Sequence, residues 1–185
     1  MKKVNIVIGR FQPFTKGHYA CVEAAMKQKN LPTVICIIDT PESKVDERHP
    51  FPSDMLTDLY GEFFSHDEKI VGVVPVKNAD IVKIGEELKK HDFEIASWTC
   101  GTDRIDSYTK MSTKYKEQAG LSDDFEMIEV YRTDEDVSAT KARQALLDDD
   151  KKAFYSMIPQ VSLSTRLRIN LYDHLKKQID KVYKK

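Results

Sequence analysis

No stretch of the 185-residue sequence approaches the roughly 20 consecutive apolar residues that cross a bilayer, so no membrane span is expected. Excess positive charge is also missing: 29 Lys and Arg stand against 30 Asp and Glu, a net charge of −1. A general nucleic-acid binder is usually strongly basic, which argues against that class; a local cationic pocket for phosphates is not excluded. Cysteine is scarce and odd in number. Cys21, Cys36 and Cys100 form no CxxC pair and suggest no zinc site; reduced thiols in a cytoplasmic protein are the expectation. The apolar run after Met1 is too short for a signal peptide. Internal repeats, linkers and low-complexity segments are absent too. The length suits one domain with a real core.

What is present is a regular alternation. Short runs rich in Val and Ile read as buried strands: 3–9, 33–39, 69–76, 93–101 and 125–132. Helical patterns lie between them, roughly over 17–29, 53–65, 79–91 and 104–119. Strand and helix in alternation predict an α/β fold: a Rossmann-like, open, doubly wound parallel sheet of five strands with right-handed crossovers. A polar loop, "TDEDVS", precedes the helix "ATKARQALLDD", and a short helix "KKAFYSMI" ends at Pro159. The expected division is a main domain over 1–160 and a C-terminal amphipathic helix over 161–185 packed on it. In that extension Leu163, Leu167, Leu171, Leu175 and Ile179 recur every four residues. The stripe is expected to pack on the domain, with a subunit contact in a homo-oligomer as the alternative.

In an open α/β sheet, ligands bind beyond the carboxyl ends of the strands, where chain order reverses. Three unusual loops here follow strands. The first is "GRFQPFTKGH" (9–18). Gly9 permits a sharp turn, and the helix beginning near Gly17 points free N–H groups at the loop, a seat for phosphate. Thr15 offers a hydroxyl, Lys16 and Arg10 offer charge, and His18 lies in the first helical turn. A well-capped strand-to-helix turn needs far less. The second loop leads into "VSATKAR" (137–143), where Ser138, Thr140, Lys141 and Arg143 gather at a helix start. Hydroxyls, free N–H groups and a forked guanidinium there suit one anion, although an N-cap on a surface helix looks similar. The third is "SWTCGTDRIDSYTKM" (97–111). Gly101 allows close approach and Asp103 can accept sugar hydroxyls or simply cap a helix. Trp98 is read either as core or as a stacking platform.

The first run resembles the signature of the nucleotidyltransferase superfamily with the His-x-Gly-His or Thr-x-Gly-His motif, and "VSATKAR" resembles its second signature, Ile-Ser-x-Thr-x-x-Arg, matched by Ser138, Thr140 and Arg143. The form Gly-Arg-Phe-Gln-Pro-Phe is most similar to archaeal-type and bifunctional nicotinamide-mononucleotide (NMN) adenylyltransferases. Those carry His where this chain has Thr15; Thr is found there in pantetheine-phosphate adenylyltransferases. The segment "SKVDERHPFPSDM" (43–55) resembles the Asn-Pro-Phe-Thr element of the NMN enzymes, with His49 for Asn. The family's following Arg is replaced by Met55 and Leu56, and Arg48 is the substitute cation. The stretch from Gly101 to Arg143 also resembles uncharacterised nucleotidyltransferase-like proteins of large tailed phages, which would place the chain in a host cytosol.

The resemblance implies transfer of AMP from ATP to a phosphorylated acceptor, NMN first, with release of pyrophosphate. Alternatives are a pantetheine-phosphate or CTP-dependent enzyme, or a nucleotide sensor without catalysis. A phosphate monoester is already nucleophilic at pH 7, so positioning and charge stabilisation suffice. His18, Thr15, Lys16 and Arg143 are the expected catalytic groups. ATP is expected on Gly9, Arg10, Phe11, Thr15 and His18 of the first loop. Gly101, Asp103 and Arg104 of the third loop, and Ser138, Thr140 and Arg143 of the second, complete that set. Gln12, Arg48, Phe51 and Trp98 are expected on the acceptor. Mg2+ should arrive with ATP, held by phosphates and water rather than by a carboxylate cage.

Overall fold

Val and Ile occupy the interior positions of the five apolar runs, and each run forms a strand in the computed structural model, which describes residues 1–131, 138–161 and 164–184. The strands are β1 (Lys2–Gly9), β2 (Thr33–Ile38), β3 (Ile70–Val76), β4 (Phe93–Gly101) and β5 (Glu126–Val130). The helices are α1 (Lys16–Lys29), α2 (Ser53–Phe63), α3 (Ile81–Lys90), α4 (Ile105–Lys114), α5 (Ala139–Leu147), α6 (Lys151–Met157) and α7 (Thr165–Tyr183). The sheet order is β3-β2-β1-β4-β5, and every pairing is parallel. The chain runs outward from β1 to β3, then returns to β4 beside β1. The switch point therefore lies between the carboxyl ends of β1 and β4.

Alternate strand residues feed two cores, one on each face. On one face, Val7, Ile35 and Ile37 pack with residues of α1, α2, α5, α6 and α7. On the other, Val4, Ile6, Val34, Cys36 and Trp98 pack with Ile81, Ile84 and Leu88 of α3 and Tyr108 of α4. This is the expected α/β architecture with helices on both faces. A polar knot is buried in the first face. Asn5 donates to Thr33 Oγ1 at 3.0 Å and accepts from Ser97 Oγ at 2.7 Å and Thr99 Oγ1 at 2.8 Å. These bonds satisfy the Asn5 amide and tie β1 to both neighbours, β2 and β4.

Element ends follow local chemistry. α3 begins at Ile81, later than the periodicity suggests, because Asp80 Oδ1 accepts from Val82 N and Lys83 N as an N-cap. α4 ends at Lys114, short of the expected 119; the chain continues in turns to Gly120, whose φ is +64°. α5 ends at Leu147, and Asp149 in the left-handed region (φ 53°) turns the chain into α6, capped by Asp150. On α7, Leu171, Tyr172, Leu175 and Ile179 are buried in the first core and Leu167 is half-buried; Leu163 lies outside the described residues, as does most of the polar loop "TDEDVS". No helix among the described residues is long and apolar enough to cross a membrane.

Candidate functional site

The turn from β1 into α1 is held in an unusual shape. Phe11 has φ 50°, which folds its ring back over Gly9. A Cβ on Gly9 would meet Phe11 Cε1 at 2.9 Å, so any larger residue there would push the Phe11 ring out of place. Phe11 meets the His18 ring edge-on with centroids 5.0 Å apart, and Phe14 packs on it at 5.4 Å. Thr15 caps α1, and its backbone N–H donates to His18 Nδ1 at 2.9 Å. Nδ1 is therefore the acceptor, and the neutral ring carries its proton on Nε2. Thr15 Oγ1 lies 3.3 Å from the same Nδ1, and Thr15 is 2% exposed. Thr15, expected on the phosphates, is thus buried with its hydroxyl beside the ring of His18.

His18 lines a cavity of about 390 Å3 at the switch point. Gly9, Arg10 and Phe11 come to it from the first loop, Gly101, Asp103 and Arg104 from the end of β4, and His49 from the loop after β2. The first and third of the loops singled out in the sequence thus meet here, joined by the β2–α2 loop. Arg10 Nη1 donates to Asp39 O at 2.9 Å and Thr40 Oγ1 at 3.1 Å, which locks the cation to the end of β2. Asp103 is the one carboxylate among the described lining residues, and Arg104 Nε lies 3.9 Å from it. A larger recess of about 520 Å3 lies at the start of α3, against Met111 and Tyr115. It presents neither cation nor histidine, so the chemistry points to the switch-point cavity.

The second motif docks onto the first loop. Arg143 Nη1 donates to Gln12 O at 2.7 Å across 131 residues, and Nη2 donates to Thr140 Oγ1 at 3.4 Å. Ser138 Oγ caps α5 by accepting from Lys141 N at 3.1 Å. Burial disfavours the charged form of the Arg143 guanidinium; Tyr183 and Asp46 counter this, and nearby Arg48 adds to it. Ser138, Thr140 and Arg143 stand beside the cavity without lining it.

Four other expected site residues lie outside the lining of the switch-point cavity. Lys16 faces a separate recess of about 440 Å3 with Tyr19, Glu23, His66 and Lys69. Trp98 is 0% exposed and stacks on Tyr108 at 4.1 Å, so no face is left for an acceptor. Phe51 is also 0% exposed. Gln12, 4% exposed, spends its amide on Phe51: Nε2 donates to Phe51 O at 2.8 Å and Oε1 accepts from Phe51 N at 2.9 Å. Gln12 and Phe51 shape the wall without facing it. Arg48 is exposed in the same loop. Tyr108 and Cys100 line the cavity and were not anticipated; Tyr108 follows Arg104 by one helical turn, a spacing that places both on one face. Among the described residues, no group of three His, Cys, Asp or Glu could hold a metal ion.

Comparison with curated proteins finds no match. Solved structures do resemble the chain. A bifunctional NMN adenylyltransferase/ADP ribose pyrophosphatase from Francisella tularensis, complexed with AMP and a manganese ion, aligns over 100% of this chain at 22% identity with a TM-score of 0.56. This chain spans about half of that protein, 51% of its length. A putative nicotinate-nucleotide adenylyltransferase from Vibrio parahaemolyticus aligns over 96% of this chain and 97% of its own at 16% identity, TM-score 0.53. Plasmodium falciparum nicotinic acid mononucleotide adenylyltransferase, complexed with NaAD, covers 94% and 98% at 14% identity, TM-score 0.50. At such identities these likenesses speak for the fold. The cytidylyltransferase-like family model matches residues 6–145, from within β1 to within α5, and so takes in part of β1, the other four strands and the stretches 9–18 and 137–143: the chain belongs to the cytidylyltransferase-like family of nucleotidyltransferases.

Proposed function

We propose that the protein joins the AMP moiety of ATP to nicotinamide mononucleotide, giving NAD and pyrophosphate. The observation that carries this reading is His18: its Nδ1 is occupied by a backbone N–H, which leaves an Nε2 proton donor on a ring that lines the switch-point cavity. An oxygen of the acceptor phosphate attacks the α-phosphorus of ATP in line. The new P–O bond forms as the bond to the β-phosphate oxygen breaks, and pyrophosphate leaves with that electron pair. His18 donates a hydrogen bond to the α-phosphate as charge builds. Arg10, already fixed through Nη1, and Arg143, held on Gln12, grip the phosphates. The Ser138-capped start of α5 adds its helix end to the leaving group. Asp103 and Gly101 face the nucleoside, and Arg48 and His49 stand on the acceptor side.

Magnesium fits this donor set only as an ion carried by the nucleotide. With Asp103 as the single carboxylate among the described lining residues, the remaining ligands would be phosphate oxygens and water. Bound there, Mg2+ supplies charge neutralisation to the phosphates.

The test is pyrophosphate release from Mg-ATP or Mg-CTP against NMN, nicotinate mononucleotide, phosphopantetheine and choline phosphate. Turnover of ATP with NMN, with NAD as product, is expected. Turnover only with another pair overturns the acceptor. ATP binding without turnover on any member would make the protein a sensor.

A further inference from the structure

The loop between β2 and α2 forms one wall of the cavity, and its two ends are held from the first loop. Arg10 holds Asp39 and Thr40, and Gln12 holds Phe51. Between these anchors, residues 42–44 and 46–48 are exposed. Asp46 Oδ1 accepts from Arg48 N at 2.9 Å and His49 N at 2.7 Å, which shapes the turn but does not fix it to the body.

The fixing comes from the far end of the chain. Tyr183 Oη donates to Glu47 O at 2.7 Å, across 136 residues, and Gln178 Nε2 donates to Pro50 O at 3.0 Å, across 128. These two carbonyls bracket the Arg48–His49 dipeptide. Tyr183 spends its hydroxyl on this one carbonyl, while Arg143 of the second motif is bonded to Gln12 O and Thr140. Lys181 lies 3.8 Å from Glu42, but both side chains are largely exposed and that pair adds little. The burial of α7 in the core is complete by Ile179; the bonds of Gln178 and Tyr183 are made outside it, to a loop whose only cavity-lining residue among those described is His49.

We propose that the last turns of α7 act as a clasp that sets His49 in the wall of the nucleotide cavity and orders the adjacent Arg48 with it, with Gln178 and Tyr183 as positioning residues for the phosphate of the second substrate. The catalytic consequence rests on the nucleotidyl-transfer reading; the clasp itself does not. Without it the turn is tethered only at its ends, and the acceptor would have to order it on binding. That cost falls on acceptor affinity and not on ATP, which is held by the other loops.

The experiment compares the full chain with Tyr183→Phe, Gln178→Ala and the double variant. Tyr183 is 36% exposed, and loss of one hydroxyl leaves folding intact. Amide hydrogen exchange is expected to accelerate over residues 42–50 and nowhere in the sheet, with the urea midpoint unchanged. In steady-state assays with ATP and NMN, acceptor KM should rise roughly two- to tenfold for each bond lost, while kcat and the KM for ATP hold. Unchanged exchange in the double variant overturns the clasp. Faster exchange with an unmoved acceptor KM, or an equal rise in both KM values, overturns its positioning role. If the unaltered protein turns over no acceptor, the transfer reading fails while the exchange result still decides the clasp.

Discussion

His18 owes its usefulness to what surrounds it. Two aromatic rings fix its plane and a backbone N–H fixes its tautomer, so little reorganisation is needed when charge develops on a phosphate beside it. Removing such a donor costs about 10²–10³ in kcat in comparable sites. His18→Ala is therefore expected to lose turnover on that scale while far-UV circular dichroism stays the same. Turnover within threefold of the unaltered protein would remove His18 from the transition state. The cysteines make a second residue-scale case. None of the three is in a disulfide, and all are buried. Full burial pushes the Cys36 thiol up to about 12, so it stays protonated through neutral and mildly alkaline pH and is a poor nucleophile. Native protein is expected to leave Cys36 unmodified by iodoacetamide at pH 8, with labelling only after unfolding; peptide mass mapping reads this directly.

At the scale of elements, two joints carry more than their size suggests. The Gln12 amide is the clamp between the first loop and the β2–α2 loop. Gln12→Ala would leave the buried N–H and C=O of Phe51 without partners. A loss of about 2–3 kcal/mol in urea unfolding is expected, with acceptor binding weakened alongside. Gly85 is the point where α3 touches the chain after α4: a Cβ there would lie 2.1 Å from Ala119 O, a backbone atom that cannot swing away. Gly85→Ala should cost about 1–3 kcal/mol in the same assay, the range for an overpacked contact. These joints also mark where the sequence was readable. Strand and helix identities rest on local periodicity, and all five strands and the helices over 17–29, 53–65 and 79–91 were legible within two or three residues. The first and third loops were legible because glycines, cations and a histidine sit within a few residues of each other. The burial of Gln12, Phe51 and Trp98 was not legible because it depends on partners elsewhere in the chain: Phe51 for Gln12, 39 residues on, and Tyr108 for Trp98, on the next helix. The placement of Lys16 on a separate recess was not legible either, because a helix start presents neighbouring side chains to different sides. No local pattern announces that Arg143 will reach Gln12 O.

For the whole molecule, the titrating groups define a window of stability, and each side has its own sign. Asp124 accepts from Ser122 Oγ at 2.7 Å and Lys3 Nζ at 2.9 Å, a tie between the start of β1 and the turn before β5. These hydrogen bonds, Ser122 first, hold its carboxyl at about 2. Hydrogen bonds likewise lower Asp46, Glu87 and Asp149. A carboxyl whose folded pKa lies below its unfolded value adds stability above the unfolded value, about 4, and loses that contribution as pH falls toward the folded one. On the alkaline side, burial raises the Tyr60 hydroxyl, and burial with a carboxylate partner raises Tyr19 and Tyr172. Their contribution is complete below the unfolded value near 10 and is lost as pH climbs beyond it. The urea midpoint should therefore hold a plateau between roughly pH 5 and pH 9 and fall on both sides. Asp124→Asn keeps an acceptor for Ser122 and Lys3 but cannot ionise. Its midpoint should lie below that of the unaltered protein on the plateau, and the two curves should converge as pH approaches 2. Parallel curves down to pH 2 would mean that the tie between β1 and the β5 turn plays no part in acid stability. In that case the acid limb would belong to the other lowered carboxyls, Asp46, Glu87 and Asp149.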